Sequence, residues 1–94
     1  MKFSIDKKEL FTVFKLQEEK LDSTLSPELK SELVSLQAQG VKNLILNLSE
    51  TKYADSSGLS ALLTGNRAYT ENGGAFILSE VTSFVDKLLT ISQL

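Results

Sequence analysis

From residue 26 onward this chain alternates helix-like and strand-like segments, and that alternation constrains its fold more than any other feature. Ser26-Pro27-Glu28-Leu29 reads as a helix start, with Ser26 as N-cap, Pro27 in the first turn and Glu28 near the positive end of the dipole. Leu29, Leu33 and Leu36 share one face, with Val34 close by, and Gly40 is a natural stop. Residues 41–48 form an apolar run interrupted by Lys42, Asn43 and Asn47, which predicts a buried central strand. A second helix is predicted over about residues 57–71, with Leu59, Leu62, Leu63 and Tyr69 inward. Gly65 within it costs about 1 kcal/mol relative to alanine, which points to a close approach of helix and sheet. Asn72-Gly73-Gly74 ends that helix, and residues 75–78 read as a further strand. A last helix is expected over residues 80–90, with Val81, Phe84, Val85, Leu88 and Leu89 as its apolar stripe.

The segment before residue 26 reads differently. Phe3 and Ile5 alternate with polar neighbours, Lys7-Lys8-Glu9 is a polar break, and residues 10–16 are rich in aromatic and β-branched types. So short a connection joins antiparallel strands. Alternating helices and strands imply parallel strands with right-handed crossovers. The fold class expected is therefore α/β: a mixed sheet with helices, an N-terminal antiparallel pair and parallel βα units, in one domain over residues 1–94. Phe11, Phe14, Phe76 and Phe84 are expected in the core. Tyr53 is read as either a strand-end core residue or a rim contact. Arg67 and the Glu18-Glu19-Lys20 run are read as solvated, with partner contact the alternative for Arg67.

Composition excludes several function classes. The net charge is −2, with no basic patch that would neutralise nucleic-acid phosphates. The chain holds no cysteine and no histidine. Disulfides, thiolate metal sites, a cysteine nucleophile and a Ser-His-Asp triad are thereby impossible within it. No cofactor or metal is expected. No apolar run approaches the roughly 18 residues that span a bilayer, and the N-terminus turns polar too soon for a signal peptide. The expectation is a cytoplasmic protein with no direct membrane insertion and no nucleic-acid partner.

Function is expected at Asp55-Ser56-Ser57-Gly58, where the central strand should give way to a helix. In an open α/β sheet, ligand sites lie outside the carboxyl ends of the strands. Four readings compete. Asp55, Ser56 or Ser57 caps the helix and Gly58 permits the turn, contributing about 1 kcal/mol. A serine accepts phosphate, whose charge a helix N-terminus tolerates while a partner's surface does not. The cluster binds an anion or nucleotide, although no phosphate-binding glycine loop is present. A serine acts as a hydrolase nucleophile, although Gly-x-Ser-x-Gly is absent.

The residues also carry a resemblance. Asn43-Leu44-Ile45-Leu46-Asn47-Leu48-Ser49 followed by Tyr53-Ala54-Asp55-Ser56-Ser57-Gly58-Leu59 resembles the signature of the STAS domain, found in bacterial anti-sigma factor antagonists. Leu21-Asp22-Ser23 before a helix and Asn72-Gly73-Gly74 before a strand are similar to the same family, in matching order. The resemblance implies that Ser57 is the phosphoacceptor for a partner that is both serine kinase and anti-sigma factor. It implies that the unphosphorylated protein sequesters this partner and that a serine phosphatase resets the switch. Asp22, Asp55, Ser56, Ser57 and Gly58 would form the partner-binding surface, with Gly58 letting the backbone turn into the helix and Asp22 in the loop after the second strand. The alternative role in the family is a constitutive scaffold or accessory subunit, in a stress-signalling or transport complex, without phosphorylation. Two departures stand out. Lys20 occupies a place where the family often has glycine, and the sequence stops at Leu94 where the family usually adds a strand and helix. A lost strand would leave a sheet edge that a second copy could fill, making a homodimer.

Overall fold

The computed structural model describes residues 1–92. The sequence end that marks the second departure, at residues 93–94, lies outside the described residues. The elements are β1 (Phe3–Lys7), β2 (Thr12–Leu16), β3 (Lys20–Leu21), α1 (Ser26–Ala38), β4 (Asn43–Asn47), β5 (Tyr53–Ala54), α2 (Ser56–Glu71), β6 (Ala75–Ser79) and α3 (Ser83–Ser92). β1, β2, β4 and β6 form one sheet in that order. β1 and β2 are antiparallel, while β2–β4 and β4–β6 are parallel. The mixed sheet with an N-terminal antiparallel pair is the architecture expected from the alternation.

Strand periodicity decides which residues enter the core. Phe14, Leu16, Leu44 and Leu46 face the helices and are fully buried with Leu29, Leu33, Leu36 and Leu62. Their alternates Val13, Lys15, Ile45 and Asn47 are only half-buried. β4 is therefore covered on one face rather than two, which corrects the expectation of a fully buried central strand. The reason is that both long helices lie on the same side. Gly65 of α2 packs where a Cβ would meet the Phe76 ring at 2.9 Å and Leu33 of α1 at 3.0 Å, the close approach its position suggested. Tyr69 is buried and donates its hydroxyl to the Leu33 carbonyl at 2.9 Å, tying α2 to α1.

Two of the four phenylalanines expected in the core are not there. Phe11 precedes β2 and is exposed, and Phe84 is 47% exposed at the start of α3. Only Val85 and Leu89 of the α3 stripe are buried. α3 begins at Ser83, three residues later than expected, after Glu80 adopts a left-handed backbone with φ 53°. Gly40 follows α1 with φ 106°, the conformation that makes glycine the favoured stop.

A second sheet was not anticipated. β3 and β5 are two residues each and pair in parallel, Lys20 with Tyr53 and Leu21 with Ala54. Lys20 thus belongs to a strand rather than a solvated loop. The buried Thr51 locks the pair, its hydroxyl donating to the Glu18 carbonyl at 2.9 Å. This small ladder is what positions the functional cluster.

Candidate functional site

The β3–β5 ladder sets two loops side by side, one ending at Asp22 and the other at Asp55. The Asp55 N–H donates to the Leu21 carbonyl at 3.2 Å, continuing the ladder to the first residue of the cluster. Asp22 therefore follows β3 rather than the second strand. It reaches the site because Leu21 pairs with Ala54.

Asp55 is the N-cap of α2, in an extended conformation with φ −112° and ψ −172°. Its Oδ1 accepts from the Gly58 N–H at 2.9 Å and from the Ser57 hydroxyl at 2.7 Å. Of the three residues offered as caps, Asp55 takes the role and Ser57 is left over. The Gly58 N–H, then the Ser57 hydroxyl, hold the Asp55 carboxyl below the usual carboxylate range, with the Ser23 backbone also contributing. A carboxylate so held is ionised at neutral pH and keeps the Ser57 proton turned toward itself.

Gly58 is buried and is not one of the left-handed glycines, which are Gly40 and Gly73. Glycine is required here by space. A Cβ would run into the Leu21 carbonyl oxygen and come within 2.9 Å of the Leu21 Cγ. The start of α2 thus lies directly against β3. Ser56 is exposed, and Ser57, Asp22 and Asp55 are half-buried.

Ser26 is a site residue that sequence reasoning assigned elsewhere. The N-cap of α1 is Leu25, with no side-chain cap bond, and Ser26 is the first helical residue, only 2% exposed. Its hydroxyl donates to the Asp22 carbonyl at 2.6 Å and lies 3.2 Å from the Ser57 hydroxyl. Asp22 organises the turn before α1. Its Oδ1 accepts from the Thr24 N–H and hydroxyl, and its carbonyl accepts from the Leu25 and Ser26 N–H groups. A serine one residue after the cap position resembles a cap in sequence, so no local signal distinguished the two roles. Asp22, Ser26, Asp55, Ser57 and Gly58 are thus joined into one cluster, with Ser56 on its outer surface.

Beside the cluster stands an aromatic pair. Tyr53 is 42% exposed and stacks on Phe84 with ring centroids 5.5 Å apart. Tyr53 is accordingly a rim residue. Phe84 was read as core because its helical spacing matches the α3 stripe. Among the described residues no group of three metal-ligating side chains occurs, and no helix is long and apolar enough to cross a membrane.

A family model for the STAS domain matches residues 2–94. Among solved structures, the anti-sigma factor antagonist SpoIIAA in its unphosphorylated form superposes with a TM-score of 0.84 at 23% identity, covering 99% of this chain and 82% of that one. The phosphorylated form of SpoIIAA, a Bacillus cell fate determinant, gives 0.78 at 22% identity over 97% and 83%. The murine anion transporter Slc26a9 gives 0.78 at 16% identity, covering 92% of this chain and 14% of the transporter. At these identities the superpositions establish the fold, and the family match establishes the lineage. This chain belongs to the STAS-domain family.

Proposed function

We propose that this protein is an anti-sigma factor antagonist, a non-enzymatic cytoplasmic binding module switched by phosphorylation of Ser57. It sequesters a serine-kinase anti-sigma factor when Ser57 is free and releases it when Ser57 carries phosphate, and a serine phosphatase restores the free form. The observation that carries the reading is the hydrogen-bonding of Ser57. Its hydroxyl proton is held by Asp55, which leaves the oxygen lone pairs for an incoming phosphoryl group, at the start of a helix whose dipole tolerates the added charge.

The surface around Ser57 suits a partner. Ser56, the Asp22 loop and the Tyr53–Phe84 stack offer polar contacts beside an aromatic anchor. An ordinary interface takes about 800 Å² from each partner, against a total surface of 5386 Å² here. A dianion centred at Ser57 therefore falls within or at the rim of any interface built on this cluster, where burying an unpaired charge costs several-fold to many-fold in affinity.

The rival reading is a constitutive scaffold or accessory subunit, and the shared fold of the Slc26a9 domain supports it. In that reading Ser57 is retained only as a helix cap. Asp55 takes the cap bond instead, which leaves the phosphoacceptor role as the better account of Ser57. Pull-downs from the source organism's lysate, with wild-type, Ser57→Ala and Ser57→Asp baits, separate the two. A serine-kinase-like protein bound by wild type and Ser57→Ala but absent from Ser57→Asp is the expected result. The same proteins on all three baits favour the scaffold and end the switch reading.

A further inference from the structure

Ser26 carries a buried hydroxyl that caps neither helix. It lies on the first turn of α1. Three oxygen–oxygen contacts run through it and Ser57: 2.6 Å to the Asp22 carbonyl, 3.2 Å between the two hydroxyls, and 2.7 Å from Ser57 to Asp55. Each hydroxyl has one proton, so three contacts share two protons. The two shorter contacts take them. Ser26 and Ser57 then face each other with no proton between their oxygens.

The Ser26 proton is also free to move. The Asp22 carbonyl already receives the N–H groups of Leu25 at 3.1 Å and Ser26 at 2.9 Å. A carbonyl oxygen has two lone pairs, so losing the hydroxyl donor leaves it satisfied and no buried acceptor is orphaned.

The geometry points to Ser26 as a positioning residue for a phosphate on Ser57, its hydroxyl turning from the Asp22 carbonyl to a phosphate oxygen. The inference rests on the reading of Ser57 as phosphoacceptor. Phosphorylation replaces the Ser57 proton and ends its donation to Asp55, so an ionised carboxylate and a phosphate become neighbours. The Ser26 oxygen, 3.2 Å from the Ser57 oxygen, is within reach of the phosphate oxygens attached there. A hydroxyl donating to an anion makes a shorter and stronger bond than one donating to a neutral carbonyl, and burial strengthens it further. Ser26 thereby holds the phosphate against the start of α1 rather than leaving it to swing into solvent.

The test uses the full chain assembled by chemical ligation with phosphoserine at position 57, so it needs no kinase. The phosphate is titrated by phosphorus NMR in wild type, Ser26→Ala and Ser26→Thr, with the amide spectrum verifying the fold of each. The second ionisation of phosphoserine lies near pH 6, and a donor to the dianion lowers it. Ser26→Ala is expected to raise the midpoint by about half a unit, while Ser26→Thr, which keeps the hydroxyl, stays with wild type. Equal midpoints in wild type and Ser26→Ala overturn the inference, as does a midpoint raised equally in both variants. Failure of the phosphorylation switch itself would appear in the pull-downs and not in this titration.

Discussion

α1 and α2 begin beside each other, and their first turns leave the same orphan N–H groups. α2 satisfies one of its own with the Asp55 carboxylate, from an extended cap residue. α1 has no side-chain cap. Its Leu25 has φ −106° and ψ −28°, and the Leu25 and Ser26 N–H groups turn back to the Asp22 carbonyl. Pro27 removes a further donor. The difference explains how a serine comes to lie buried at the site. Because α1 enters through a backbone turn, Ser26 is not needed as a cap and its hydroxyl is available to Ser57. Because α2 is capped by Asp55, Ser57 is likewise released from structural duty.

The largest test of this contrast is at the tight start of α2. Gly58→Ala forces a Cβ against the Leu21 carbonyl, so either the helix start or β3 must shift. Overpacking of this kind costs about 3 kcal/mol, read as a lower urea midpoint at unchanged slope. The corresponding substitution at α1, Ser26→Ala in the unphosphorylated protein, removes one of three donors to one carbonyl and is expected to cost under about 1 kcal/mol. Similar losses at the two positions would mean that the starts are equally constrained.

Tyr69→Phe probes the link that holds the two helices in register. It deletes the hydroxyl bond to the Leu33 carbonyl of α1 and is expected to cost about 1.5 kcal/mol. Burial pushes the Tyr69 phenol up to about 12, above its unfolded value near 10. Its contribution is therefore complete below about pH 10 and is lost as pH rises toward the folded value. Alkaline unfolding monitored by circular dichroism should show that loss in wild type and lack it in Tyr69→Phe.

A smaller effect tests whether α1 could have been capped like α2. N-cap residues that accept a backbone bond are usually extended, as Asp55 is and Leu25 is not. Leu25 also packs its half-buried side chain against the core. Leu25→Ser is therefore expected to lose about 1 kcal/mol of burial and gain no cap. A rise in the thermal midpoint would show that the turn at α1 can adopt the geometry of α2.

Much of this was legible in the residues. The helical spacing of Leu29, Leu33 and Leu36 places these residues in the core directly, because burial follows period, whereas the apolar run of β4 masked the alternation by which Leu44 and Leu46 are buried and Ile45 and Asn47 are not. Asp55, Ser57 and Gly58 stood out through a strand-to-helix junction. What was hidden depends on long-range contact. β3 and β5 are two residues each, too short for any period, and they exist because Leu21 and Ala54 meet across the fold. Ser26 has the local look of a cap, and only the approach of Ser57, 31 residues later, gives it another role. Phe84 matches an apolar stripe, yet it is exposed and stacks on Tyr53, a residue 31 positions earlier, instead.

The last contrast between the two helix starts is in their response to acid. The Asp22 carbonyl that receives the α1 donors does not titrate, whereas the Asp55 carboxylate does. Its pKa in the fold is lowered, first by the Gly58 N–H and then by the Ser57 hydroxyl. A lowered folded pKa contributes stability that is complete above the unfolded value, near 3.9, and that is lost as pH falls through the folded value. Asp55→Asn keeps a cap acceptor of similar quality and removes the charge. The variant should be close to wild type in fold at neutral pH, and its deficit in urea midpoint should shrink as pH drops below about 3.9. In wild type the same protonation should loosen Gly58 before Ser26, seen as earlier loss of amide-exchange protection at the start of α2. Simultaneous loss at both residues would mean that the two starts open as one unit, and that the independence of their caps does not extend to their stability.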